Sequence, residues 1–132
     1  MQSESVDKVK FRSIAPSFVV NDVVVTAEYY RDVLGFEILG YFADPPVFAM
    51  VGRGGVEIHF GKADGEPQRS NLELRKISSD AYIWVSDVYA LFEELTAAGA
   101  DIIEGPIDRI YNCTELEVRD CNGFKLVFSH AA

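Results

Sequence analysis

The sequence predicts an α+β domain built from two tandem βαβββ modules, and three observations carry that reading. Asp22 and Asp87, each placed to cap a helix, stand 65 positions apart in a chain of 132 residues. Each opens a helical pattern that stops at a glycine, Gly35 and then Gly99. Each helix has one strand-like run before it and three after it. Aspartate at a helix start accepts the free backbone N–H groups, and glycine tolerates the left-handed turn that ends a helix. With only two copies, the repeat reads as a duplication rather than a solenoid.

In chain order, residues 1–10 are polar and read as a tail ahead of a single domain over 11–130. Module one covers 11–62, a connector rich in Gly, Pro and Ser covers 63–77, and module two covers 78–130. Module one reads as a strand over 11–21 that contains Pro16, a helix over 23–34, and strands over 36–42, 47–51 and 56–60. Asp44-Pro45-Pro46 marks a turn, and Gly52-Arg53-Gly54-Gly55 a hairpin. Module two reads as a strand over 81–85 and a helix over 88–98 with Leu91, Leu95 and Ala98 on one face. A strand over 100–104 ends at Gly105-Pro106, and two more over 113–119 and 124–128 flank Asp120-Cys121-Asn122-Gly123.

Composition excludes several function classes. A formal net charge of −9 leaves no basic face for nucleic acid or an anionic membrane surface. No apolar run approaches the ~18–20 residues that span a bilayer. The N-terminus MQSESVDKVK lacks an apolar leader, so the expected compartment is the cytoplasm. Cys113 and Cys121 are too few and too far apart for a disulfide framework or a paired-thiol motif, so both are expected as free thiols. The glycine hairpin lacks the Lys-Ser/Thr and the helix of a phosphate loop, and no serine sits in a nucleophile elbow.

Tyr29-Tyr30-Arg31-Asp32-Val33-Leu34-Gly35-Phe36 after a capped helix, its counterpart Leu95-Thr96-Ala97-Ala98-Gly99-Ala100, and Asp120-Cys121-Asn122-Gly123 before the last strand carry a resemblance. Together they resemble the glyoxalase/bleomycin-resistance/extradiol-dioxygenase group, the vicinal oxygen chelate superfamily, over roughly residues 11–130. The resemblance implies sheets curled around a cleft and a homodimer.

Strand residues alternate between faces. With Val56, Ile58 and Phe60 under the helices, Glu57 and His59 share the face that the resemblance assigns to the cleft. By the same alternation the cleft receives Ala15, Ser17 and Val19, then Asp80, Tyr82 and Trp84, then Glu115, Glu117 and Arg119, then Lys125 and Val127. A sheet solvated on one side shows the same alternation. Tyr82 and Trp84 therefore carry two readings: rings that stack on a ligand, or rings that fill a core or a dimer seam.

Metal-dependent members of the family use about four His or Glu ligands, one from each of four strands. Those positions fall here on Ala15, Glu57, Asp80 and Val127. Two hydrocarbons and two carboxylates make a poor divalent site, so no metal and no cofactor are expected. His59 is either a polar cleft residue or a recruited ligand, and His130 is expected in solvent. The reading closest to these features is the metal-free, bleomycin-resistance-like branch, whose members sequester a drug without altering it. There Glu57, His59, Asp80, Tyr82, Trp84, Glu115 and Glu117 bind a cationic or planar, antibiotic-like small molecule. The branch's Arg-Glu-Phe run is Thr114-Glu115-Leu116 here, without the arginine. One alternative is an isomerase, lyase, epimerase or dioxygenase of this fold with Glu57 as base or weak metal ligand. Another is an assembly or regulatory domain with a vestigial cleft.

Overall fold

Both long helices begin where an aspartate side chain meets free backbone donors. Asp22 Oδ1 accepts from the Val24 and Val25 N–H groups at 3.0 Å each, and Asp87 Oδ1 accepts from Ala90 N–H at 3.1 Å. The glycines that end them sit at φ +74° (Gly35) and +86° (Gly99), the left-handed region that favours glycine. The computed structural model describes residues 8–132; positions 1–7 of the expected tail lie outside them.

The elements are β1 (Ser17–Val20), α1 (Val23–Asp32), β2 (Glu37–Phe42), β3 (Phe48–Arg53) and β4 (Val56–Lys62), then α2 (Asn71–Leu74). The second half supplies β5 (Ala81–Trp84), α3 (Val88–Ala97), β6 (Asp101–Arg109), β7 (Cys113–Arg119) and β8 (Lys125–Ala131). They form two four-stranded mixed sheets, ordered β1-β4-β3-β2 and β5-β8-β7-β6. In each sheet the first pair is parallel and the others antiparallel. Phe18 lies opposite Phe60 in one sheet and Ile83 opposite Phe128 in the other.

The structure departs from the sequence reading at several places, among them the last strand, which runs on past Phe128 to Ala131. The first strand keeps only four residues. Pro16 has no N–H to add to the ladder, although its carbonyl accepts from His59 N–H at 2.9 Å. The connector contains the short helix α2, capped by Ser70. Ala98 is exposed, and Val88 completes the buried helix face with Leu91 and Leu95. β6 runs five residues past Glu104, because Gly105-Pro106 forms an irregularity within the strand rather than its end. Gly105, at φ +106°, lies against the Glu115 carbonyl, where no side chain fits.

The inner faces of both sheets and the two long helices meet in one core that includes Phe18, Val20, Tyr30, Ile58, Phe60, Leu95, Leu116, Leu126 and Phe128. Two lines of contact join the halves. Along one, Phe18 stacks on Phe124 at 4.6 Å, Tyr30 Oη donates to Asp120 Oδ2 at 2.6 Å, and Asn122 Nδ2 donates to Thr26 Oγ1 at 2.9 Å. Along the other, Arg53 donates to both Glu94 oxygens at 2.7 and 2.8 Å and to the Leu34 carbonyl at 2.9 Å. The apolar faces share one core, so the other faces of the two sheets point away from it and from each other. No helix among the described residues is long and apolar enough to cross a membrane.

Tyr30→Phe leaves a buried Asp120 oxygen short of its donor. An unmet buried acceptor costs about 1–3 kcal/mol, and urea unfolding should show a loss of that size. Asp120→Asn, which keeps an acceptor for the backbone, should lose less than Asp120→Ala. An unchanged Tyr30→Phe midpoint would remove this bond from the account of how the halves are joined.

Candidate functional site

The outward face of the second sheet holds the densest polar network among the described residues. It begins with Glu115 on β7, whose side chain is 4% exposed. Tyr82 Oη on β5 donates to Glu115 Oε2 at 2.5 Å, and Tyr111 Oη, from the β6–β7 turn, donates to the same oxygen at 2.8 Å. Arg109 Nε donates to Glu115 Oε1 at 2.9 Å. The same guanidinium reaches Glu104 at 3.0 Å and Glu117 at 3.1 Å. Lys125 Nζ, also buried, pairs with the other Glu117 oxygen at 3.1 Å and with the Lys76 carbonyl at 3.3 Å.

These contacts set the charges. Burial pushes the Glu115 carboxyl upward, but bonds from Tyr82, Tyr111 and Arg109 outweigh it, and the group lies below the ordinary glutamate value. Burial and the Glu115 bond push the Tyr82 phenol up to about 12. Hydrogen bonding to Glu115 raises the Arg109 guanidinium further, so it stays charged. The face is therefore a compensated network. Its two most buried acids face cations at hydrogen-bond distance, which is the condition for tolerating buried charge.

Around the network lies an open bowl of about 680 Å³, lined by Ile77, Tyr82, Ile110, Tyr111 and Val127 as well as the charged groups. Trp84 stands beside Tyr82, their ring centroids 5.3 Å apart, and is 61% exposed. Ser129 is fully buried between Trp84 and Glu115 in the register, and its hydroxyl has no hydrogen-bond partner of good geometry among the described residues.

The sequence-predicted site residues divide into three groups. Tyr82, Trp84, Glu115 and Glu117 meet on this face. Glu57 and His59 meet on the outward face of the first sheet, His59 Nε2 being 2.6 Å from Glu57 Oε1, with Phe48 edge-on to the imidazole at 5.4 Å. A single chain does not bring these two groups together. Asp80 belongs to neither: its oxygens accept from the Asn71 and Lys125 N–H groups at 2.8 and 2.9 Å, clasping α2 to the start of β8. His130 is not the solvent residue expected; its Nδ1 accepts from Val88 N–H at 2.8 Å at the start of α3. Cys113 and Cys121 are both free.

Arg109 and Tyr111 are absent from the sequence reading, which ended the strand at Gly105-Pro106. The signal that locates them is the turn residue Asn112, at φ +65°. Extending the strand to that turn pairs Arg109 with Cys113 and places it on the Glu115 side.

The donor set does not fit a four-ligand metal centre. Ala15 has no donor atom, Val127 is a buried hydrocarbon, Asp80 holds backbone, and the Glu57 carboxylate that remains is bonded to His59. No three His, Cys, Asp or Glu side chains among the described residues gather to hold an ion.

A family model described as Glyoxalase/Bleomycin resistance protein/Dioxygenase superfamily matches residues 12–128. No curated protein matches the chain. Solved structures that share its fold include TioX from Micromonospora sp. ML1, at a TM-score of 0.71 and 23% identity, over 92% of this chain and 100% of that one. A glyoxalase-related enzyme from Clostridium phytofermentans has a TM-score of 0.74 and 16% identity, over 95% of this chain and 98% of that one. UcmS2 has a TM-score of 0.67 and 20% identity, over 90% of this chain and 98% of that one.

The network predicts an acid limit to stability. The folded pKa of Glu115 lies below its unfolded value, so the unfolded chain binds the proton first as pH falls. The contribution of Glu115 is complete above the unfolded value, near 4.5, and is lost as pH falls through the folded one. Melting temperature followed from pH 6 to 3 should drop, and Glu115→Gln, less stable at pH 6, should drop less steeply. Parallel curves would assign the acid sensitivity to other carboxylates.

Proposed function

The chain belongs to the glyoxalase/bleomycin-resistance/dioxygenase superfamily, and from that premise we propose that it is a metal-independent binder of a cationic or planar, antibiotic-like small molecule. One observation carries the reading. The outward face of the second sheet already holds a planar cation, the Arg109 guanidinium, among Glu104, Glu115 and Glu117, beside the exposed rings of Tyr82 and Trp84. A flat cationic guest engages the same chemistry. Its rings stack on Trp84 and Tyr82, and its charge competes with Arg109 for the rim carboxylate of Glu104. A cation over an indole face gains about 0.5–2 kcal/mol. Hydrocarbon at Ala15 and Val127 supports binding without a metal.

The reading includes a homodimer. The two outward faces diverge within one chain, so a cleft with walls from both sheets needs a second copy. Exposed apolar side chains on these faces, among them Phe42, Trp84 and Ile110, supply surface for such a contact. Gln68 covers only part of the β1 edge, exchanging two hydrogen bonds with Val19 at 3.0 Å.

Calorimetric titration with proflavine, a planar cation, and 1-naphthalenesulfonate, a planar anion, tests the binding. Saturable proflavine binding that weakens at least tenfold in Trp84→Ala is expected, with little affinity for the sulfonate. No binding of proflavine, or a stoichiometric divalent ion retained through purification, would overturn the reading. Sedimentation velocity at micromolar concentration should show a dimer, and a monomer at ~100 µM would remove the shared cleft.

A second reading has one observation in its favour: the Glu57–His59 pair is a carboxylate held against an imidazole, a suitable arrangement for moving a proton next to a carbonyl. Solvent-deuterium incorporation into α-protons of 2-oxo acids, abolished by Glu57→Gln, would replace the binding reading with an enzymatic one.

A further inference from the structure

The duplication makes the two lines of contact between the halves comparable residue by residue. Aligning the helix caps sets Phe18 against Ile83 and Thr26 against Leu91. Aligning the last strand of each half on Phe60 and Phe128 sets Val56 against Phe124 and Gly54 against Asn122. Approached from the preceding strands, Arg53 answers to Asp120. The ion pair Arg53–Glu94 thus starts from the turn position of Asp120 but reaches the helix one residue earlier, because the caps set Glu94 against Tyr29 and Leu95 against Tyr30.

The two lines are not equally filled. One has the Phe18–Phe124 stack and the Asn122–Thr26 bond behind its polar link. The other has Ile83 and Val56 in place of the rings and Gly54 in place of the asparagine, on a turn one residue shorter. What remains is a groove of about 440 Å³, within the range of small-molecule sites. Val56, Ile83, Leu91 and Phe128 line it, with Leu34 and Phe36 beneath the Arg53 side. A methyl group added at Gly54 or Gly55 would meet nothing within 4 Å.

We propose that this groove is a second binding site, separate from the outward faces, for a small neutral aromatic molecule. Its ring takes the place that the Phe124 ring takes on the opposite side. The class follows from the lining. The buried wall is hydrocarbon and phenyl. The charges at the rim, Arg53 and Glu94, engage each other in a bidentate pair, and Asp87 caps α3. No charge is left unmatched to select an ionic guest. Two phenylalanine-to-aliphatic differences supply the missing ring volume.

The test uses the full chain with methyl-labelled NMR and indole as the probe. Trp84 fluorescence is unsuitable, because that residue borders both this groove and the outward face. Saturable shifts at the Val56, Ile83 and Leu91 methyls are expected, with intermolecular NOEs from indole to Leu91 and the Phe128 ring. Val56→Phe should abolish the shifts elsewhere in the groove and raise the melting temperature. Tyr82→Ala should leave indole affinity within twofold. The absence of saturable shifts or of NOEs in the wild-type chain would overturn the proposal, whether or not the variant folds. So would indole binding that survives Val56→Phe, or that Tyr82→Ala removes. Proflavine binding can succeed or fail independently of these results.

Discussion

The geometry of this protein hangs on one buried hydrogen bond, from the Tyr30 hydroxyl on α1 to the Asp120 carboxylate ahead of β8. Tyr30 is fully buried and Asp120 nearly so. Burial raises the pKa of both groups, and at Asp120 the bond from Tyr30 opposes that rise. The carboxylate also accepts from the Asn122 and Phe124 N–H groups at 2.8 and 2.9 Å. A carboxylate in a hydrocarbon core is tolerable only when its oxygens are met in this way. The bond therefore fixes how the second-half turn sits on the first-half helix. That fit turns both apolar sheet faces inward and leaves the polar faces on opposite sides of the molecule.

Much of this architecture is written locally. Asp22, Asp87, Gly35 and Gly99 act through their own turns, and the alternation in Val56-Glu57-Ile58-His59-Phe60 follows from strand geometry alone. The bulged passage of β6 is different. Gly105-Pro106 carries a turn signal, and the chain stays in the sheet because β7 pairs with it on both sides, Glu104 with Glu117 and Ile107 with Glu115, while the close approach to the Glu115 carbonyl leaves room only for a glycine at 105. Arg109 and Tyr111 are not legible from local pattern for that reason. The contacts of Asp80 and His130 escape local pattern for a related reason: their partners, the N–H groups of Lys125 and Val88, lie more than 40 residues away. Alternation fixes the face of a strand residue but not what meets it there.

The same limit changes the electrostatics of the candidate site. Alternation puts Glu115, Glu117, Arg119 and Lys125 on one face, and the fold adds Arg109, so that Arg109 and Lys125 meet the two acids at about 3 Å while Arg119 pairs with Asp101 instead. A face with a compensated charge network selects a guest less by net attraction than by shape and by exchange of partners. The exposed rings of Tyr82 and Trp84 then matter as much as the acids do. The groove between the halves contrasts with it: its inner wall is hydrocarbon and phenyl, and it lies where Ile83 and Val56 stand in place of the rings of the other half.

The 90 residues between Tyr30 and Asp120 have a consequence for biosynthesis. On the ribosome, α1 emerges long before its acceptor is translated. Until then the first half presents the Phe18 ring without its Phe124 partner and an unsatisfied phenol. Native contacts this distant in sequence slow folding and lengthen the interval in which sticky surface is open to other chains. The nascent first half is thus the stage at which chaperone demand should be greatest.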